Sequence, residues 1–229
     1  MEERSHKTKT ILITGIGKGI GKALAQKFLA EGNRVIGTAL TGAVDFSDPN
    51  LSVFHLDIRS EESIEKCVAD IKNTGHTIDI LINNIGVLLD EDETVVVMDK
   101  LRGTLEVNLI GTIGFTEKAI SLLSEGAHLL TITSSAGSIT QVATESHFPG
   151  HYPAYKISKA ALNMYVKTLS ERLKGKAIVS AVHPGWVKTD MGGQEADVTP
   201  EDAADGIYTL ALSQPETGHF WFRDKELPW

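Results

Sequence analysis

Residues Ile11 to Gly32 read ILITGIGKGIGKALAQKFLAEG, and their interpretation decides how the rest of the chain is read. The apolar run Ile11 to Ile13 breaks into Gly15, Gly17, Gly19 and Gly21, and a helical pattern follows from Ile20 to Glu31. A strand that turns into a helix this abruptly puts the helix N-terminus at the carboxyl edge of a sheet. Its unpaired amides and positive dipole end are the groups that bind a pyrophosphate. The common G-x-G-x-x-G spacing fails, because counting from Gly15 its last position is Ile20. The spacing that fits is T-G-x-x-x-G-x-G, carried by Thr14, Gly15, Gly19 and Gly21, with Gly17 at a variable position. Taken alone, the stretch serves either a phosphate cradle or a plain strand-to-helix turn.

Outward from this unit the same alternation repeats. Strands are expected at Lys9 to Thr14, Arg34 to Thr38, Val53 to Leu56, Ile78 to Ile82, His128 to Thr133, Ala177 to His183 and His219 to Phe222. Helices are expected at Ile20 to Glu31, Glu61 to Asn73, Val95 to Leu109, Ile113 to Ser124, Tyr155 to Lys174 and Pro200 to Leu212. Such alternation predicts an α/β fold: a single-domain, Rossmann-type, doubly wound parallel sheet of about seven strands with helices on both faces. The stretch TGAVDFSDPN after Leu40 is too short and too rich in turn formers for a crossover helix, so the second connection is expected to be a loop.

At 229 residues the chain fits one domain over residues 1–229, with 1–8 as a flexible charged leader that lacks the apolar core of an export signal. No run of 18 or more apolar residues exists, which excludes a spanning helix and predicts no membrane partner. The formal charge of −8 and the absence of a basic stripe argue against nucleic acid as a partner. Cys67 is the single cysteine and falls in the apolar register of a helix, so a packing role and a reducing, cytoplasmic setting are expected. No metal site is expected.

The segment YPAYKISKAALNMYVKTL places Tyr155 and Lys159 four apart, on one face of a helix. An ammonium beside a phenol favours the phenolate, so the tyrosine can exchange a proton with an alcohol or carbonyl near neutral pH. Tyr and Lys at this spacing are also an ordinary solvated helix face. Together with the glycine pattern they acquire a meaning: the chain resembles the short-chain dehydrogenase/reductase family, of the single-domain kind. Further landmarks stand in the family's order: Asp57 in LDIRS, Asn83, Asn84 and Gly86 in INNIG, Asn108 in LEVNLIGT, Ser134 and Ser135 in TITSSAGS, and Thr189 in HPGWVKTDM. The segments HPGWVKTDMGG and GHFWFRDKELPW further resemble C-factor and sniffer-type carbonyl reductases.

The resemblance implies an oxidoreductase in which Tyr155 is the general acid or base. It implies that Lys159 lowers the tyrosine pKa and binds the nicotinamide ribose, and that Ser134 polarises the carbonyl. Asn108 would hold a water between Lys159 and solvent. Ser134 is preferred to Ser135 because Gly137 completes S-x-x-G only with Ser134. The implied cofactor contacts are Gly15, Gly17, Lys18, Gly19, Ile20, Gly21, Asp57, Ile58, Asn83, Gly86, Tyr155, Lys159, Pro184, Gly185, Val187 and Thr189. Asp57 and Asn83 equally fit capping or turn positions. Relatives pair the helices placed here at 95–109 and 113–124, which implies a homodimer or homotetramer.

Several positions depart from the family pattern. Ile85 replaces a small alanine, and 21 residues separate Ser134 from Tyr155, more than is usual in the family. The added segment QVATESHFPGHY is expected to loop over the site, with His147 and His151 read as surface histidines. The short run after Thr189 predicts an open pocket. The second strand ends in Thr38, Ala39 and Leu40 with no carboxylate for a ribose 2′-hydroxyl, and Lys18 supplies positive charge inside the glycine loop. NADP(H) is therefore favoured, with NAD(H) as the alternative, and the substrate is a small carbonyl or alcohol. A nucleotide-bound signalling protein without turnover is the competing reading.

Overall fold

The computed structural model describes residues 8–142 and 151–229. One sheet of eight strands runs through it in the order β3-β2-β1-β4-β5-β6-β7-β8. The strands are β1 (Thr10–Ile13), β2 (Arg34–Ala39), β3 (Leu51–His55), β4 (Ile78–Asn83), β5 (Leu123–Ile132), β6 (Ala177–Val182), β7 (His219–Phe222) and β8 (Lys225–Leu227). All neighbours pair in parallel except β7 with β8. The expected seven strands are present, and β8 is the addition. Its three residues are too few to print a period-2 pattern in the sequence.

The helices are α1 (Gly19–Ala30), α2 (Glu61–Asn73), α3 (Met98–Leu105), α4 (Thr112–Ala119), α5 (Pro153–Arg172) and α6 (Pro200–Leu212). Local chemistry sets their starts. Ser60 accepts from the Ser63 amide at the head of α2, where Glu61 and Glu62 face the positive dipole end. Thr199 accepts from the Asp202 amide at the head of α6, with Pro200 in its first turn. Two helices expected on either side of residue 110 form one continuous rod instead. A π-helical turn over Glu106–Gly111 joins α3 to α4, and a 3₁₀ turn over Ile120–Leu122 ends the rod. No helix lies between Ala39 and Leu51, as the turn-rich connection requires.

The central strands are apolar on both faces because both faces are covered. Leu12, Ile36, Leu81, Leu129 and Val179 pack with Phe115, Val166 and Ile71 on one side. Ile11, Ile13, Val35, Ile80 and Leu130 pack with Leu24, Phe28 and Ile207 on the other. Burying each such side chain contributes roughly 1.5–3 kcal/mol. Cys67 lies in the first of these layers, and burial pushes its thiol up to about 12, which makes it an inert packing group. The connections from β1 and β4 leave the sheet in opposite directions, so their carboxyl ends open a crevice at the point where such sheets bind ligands.

Candidate active site

The glycine loop lies at one wall of this crevice. Gly15 and Gly19 have positive φ values of 73° and 54°, a backbone state that side chains resist. Gly21 is needed for a different reason: a Cβ there would overlap the Gly15 carbonyl and the Asn84 side-chain amide. That amide donates to the carbonyls of Thr14 (2.9 Å) and Gly15 (3.1 Å), while the Thr14 hydroxyl accepts from the Asn84 backbone N–H (2.9 Å). Asn84 thus ties the end of β4 to the loop, a role its sequence motif did not reveal. Helix α1 has no capping side chain and no acidic residue in its first turn, which leaves its N-terminal amides available to an anion. A Cβ at Gly17 would touch nothing within 4 Å. The loop therefore has the shape and polarity of a dinucleotide cradle.

Lys18 and Asp57, charged residues of the expected cofactor set, each pair with a neighbour. Lys18 reaches Asp190 at 2.6 Å, both side chains being 81% exposed, so the pair joins the glycine loop to the segment after Thr189 with little energy. Lys22 pairs with Asp45 at 2.7 Å, which occupies the first carboxylate beyond β2. Leu40, at the end of β2, is 62% exposed. Asp57 accepts from the Arg59 guanidinium and backbone amide, and the guanidinium holds its carboxyl below the usual range. Asn83 is buried and donates to the hydroxyls of Thr116 (2.8 Å) and Thr131 (3.3 Å). Ile85 packs against the core beside Gly15.

The floor of the crevice carries the polar groups of β5, the π turn and α5. Ser134 caps the 3₁₀ turn Ser135–Gly137 by accepting from the Ala136 amide, and its hydroxyl lies beside Tyr155 on the same cavity wall. Gly137 packs so closely on α5 that a Cβ would strike the backbone of Lys159 and Ala160, which explains the S-x-x-G spacing. Lys159 Nζ donates to the Ile132 carbonyl (3.0 Å) and stands 5.6 Å from the centre of the Tyr155 ring. Asn108 sits in the π turn, a feature that recurs at functional sites. Its Oδ1 accepts from the Val87 amide (2.7 Å), and its Nδ2 donates to the Val87 carbonyl (2.9 Å) and the Ser158 hydroxyl (3.0 Å). Gly86 lies between them: a Cβ there would stand 3.5 Å from both Asn108 Oδ1 and Lys159 Nζ.

In this arrangement burial pushes the Tyr155 phenol up to about 12, with the Ser134 hydroxyl opposing it. Burial likewise pulls the Lys159 ammonium down to about 8. Both groups are desolvated, and the lysine is aimed at a carbonyl rather than at the phenol oxygen.

Tyr155 and Ser134 open onto a cavity of about 640 Å³, also lined by Ile20, Leu88, Thr133, Ser135 and Gln141. Its far wall is the run His183 to Val187 with Thr189, Met191, Val198 and Phe222. The short segment after Thr189 folds back on itself: Val187 bridges to Val198, and Trp186 Nε1 donates to the Gly192 carbonyl (2.8 Å). Trp186 and Met191 remain exposed at the rim. His183, which the sequence reading passed over, accepts from the Ser135 backbone N–H at 3.4 Å. His151 is exposed and is not among the cavity-lining residues, whereas His147 lies outside the described residues.

A glycine cradle at the switch point, joined to a Ser-Tyr-Lys-Asn cluster on the same crevice, defines the class, and the chain belongs to the short-chain dehydrogenase/reductase family of oxidoreductases. The family model described as enoyl-(acyl carrier protein) reductase matches residues 15–211. Among individual proteins, the chain is 30% identical to a 1-hydroxy-2-glutathionyl-2-methyl-3-butene dehydrogenase of Rhodococcus sp. (strain AD45), over 94% of this chain and 96% of that one. Of solved structures, the NADPH-bound carbonyl reductase from chicken fatty liver is similar with a TM-score of 0.87 and 26% identity, covering 97% of this chain and 95% of that one. The carbonyl reductase Sniffer of D. melanogaster is similar with a TM-score of 0.84 and 27% identity, covering 97% and 100%. No helix among the described residues is long and apolar enough to cross a membrane.

Proposed function

We propose that this protein reduces a ketone or aldehyde to an alcohol with NADPH. The observation that carries the reading is that Ser134 and Tyr155 line one cavity side by side, with Lys159 and Asn108 packed behind them. When bound, NADPH supplies the hydride that the carbonyl carbon accepts. Ser134 donates a hydrogen bond to the carbonyl oxygen as negative charge builds there. Tyr155 gives that oxygen its proton, and the Lys159 ammonium stabilises the tyrosinate left behind. Asn108 orders the backbone at Val87 and holds the water through which Lys159 exchanges protons with solvent.

The cofactor would lie with its phosphates on the amides from Gly17 to Gly21 and its nicotinamide end against Pro184, Gly185, Val187 and Thr189. Ile58 and Asp57 would flank the adenine, with Asn83 and Gly86 beneath the nucleoside. The missing carboxylate at the end of β2, the capture of Asp45 by Lys22, and the exposed Lys18 support NADPH over NADH. Met98, Ile110, Ile157 and Met164 are exposed apolar side chains on α3, the π turn and α5, and we assign them to the contact of a homodimer or homotetramer. Light scattering on a sizing column reads that assembly, and a monomer at micromolar concentration refutes it.

The decisive experiment incubates the protein with NADPH and a broad panel of ketones and aldehydes while following the nicotinamide absorbance. Turnover that Tyr155→Phe abolishes is expected. Tight NADPH binding with no turnover of any member would instead make the cofactor a regulatory ligand.

A further inference from the structure

Helix α5 carries Tyr155 and Lys159, yet it lacks a cap of its own. Its N-cap position is Tyr152, in the left-handed region at φ 39°, with no side chain bonding back to the first turn. The cap comes from elsewhere in the chain. Asp90, only 1% exposed, accepts the Ala154 N–H on Oδ2 at 2.6 Å from a position 64 residues earlier. Ala154 is the residue directly before Tyr155. The other carboxyl oxygen, Oδ1, is buried without a hydrogen-bond partner. The side chain is thus enclosed by the fold, with Oδ2 committed to the first turn of α5.

Asp90 belongs to the loop after β4, which also contains Gly86 and Val87 beside Asn108, and Leu88 on the cavity wall. We infer that Asp90 is a positioning residue for the reaction: through Ala154 it fixes the N-terminus of α5, and thereby the Tyr155 hydroxyl, relative to Ser134 and the crevice floor. The inference rests on Tyr155 being the proton donor. Its geometry is a bond from the loop after β4 to the residue next to Tyr155, and a shift of about 1 Å at a reacting group can cost on the order of 100-fold in rate.

The test uses the full chain and the panel carbonyl that turns over fastest with NADPH. Asp90→Ala is expected to lower kcat about 30-fold while NADPH affinity stays within about twofold, and Asp90→Asn, whose amide oxygen can still accept the Ala154 N–H, is expected to recover most of kcat. A folded Asp90→Ala with kcat near the parent value overturns the inference, as does Asp90→Asn being as slow as Asp90→Ala. Where Asp90→Ala does not fold, Asp90→Glu keeps the charge and displaces it by one methylene: at least a fivefold kcat loss is expected, and parent kcat refutes. A second readout needs no turnover. In protein labelled with 13C at tyrosine Cζ, the Tyr155 signal, identified by its loss in Tyr155→Phe, should move in Asp90→Ala and return in Asp90→Asn. An unmoved signal sinks the positioning role alone, whereas a moved signal with no turnover of any carbonyl sinks the reductase reading alone.

Discussion

Replacing Gly21 with alanine tests the cradle directly. The new Cβ would overlap the Gly15 carbonyl and the Asn84 side-chain amide, both held in place by the β1–β4 junction. Restoring an ordinary carbon–oxygen contact requires α1 and the loop to part by about 1 Å. That movement breaks the Asn84 bonds to Thr14 and Gly15, or tilts the α1 N-terminus out of the crevice. Overpacking of this kind costs about 1–3 kcal/mol. If the same distortion is carried into the cofactor site, NADPH affinity falls roughly 5- to 150-fold. Gly17→Ala is the control, since its Cβ meets nothing within 4 Å of protein and its stability should stay within about 0.5 kcal/mol of the parent. Thermal melts and NADPH fluorescence titration of both variants give the comparison. Unchanged affinity in Gly21→Ala would show that the amides at the head of α1 do not bind the cofactor, and the dinucleotide reading of the loop would fall.

Three further outcomes follow from the site and the core. His128 is buried between the Ala211 carbonyl and the Ser180 hydroxyl, and burial lowers its pKa from 6.5 to about 4. The unfolded chain therefore binds the extra proton first, and stability complete above pH 6.5 should fall by about 3 kcal/mol as pH drops to 4. Urea melts across that window check this, and a His128→Gln variant with an identical slope would refute it. Lys18→Ala should narrow the preference for NADPH over NADH by about tenfold, consistent with loss of one phosphate contact; equal affinities of both cofactors for the parent protein would end the NADPH assignment. Ser134→Ala should lower kcat about 100- to 1,000-fold, whereas Ser135→Ala retains most of it; the reverse order would exchange the two serines.

Much of the architecture was legible because it follows from short-range periodicity. The strand runs are apolar on both faces since helices cover both, and Ser60 and Thr199 announce the helices they cap. A break was read between α3 and α4 because the π turn shifts the phase of the apolar pattern although the helical backbone continues. The spacings of the candidate site were legible too: Tyr155 and Lys159 share a helix face, and Gly137 marks Ser134 because only a side-chain-free residue fits against Lys159. His183, Asn84 and Asp90 were not identified for their roles, since each acts on a partner distant in the chain, at separations of 48, 70 and 64 residues.

The sequence by itself determined the alternating α/β elements, the glycine cradle at the first strand and the Tyr-Lys pair, all of which are properties of neighbouring residues along a period. Only the tertiary structure decided the environment of that pair. In isolation an ammonium next to a phenol lowers the phenol pKa, but here burial desolvates both groups and drives them the other way, to about 12 and about 8. It also decided that Lys18 meets Asp190, and that the cap of α5 comes from Asp90. Desolvation and long-range hydrogen bonds depend on what surrounds a residue in space, and no local spacing encodes that.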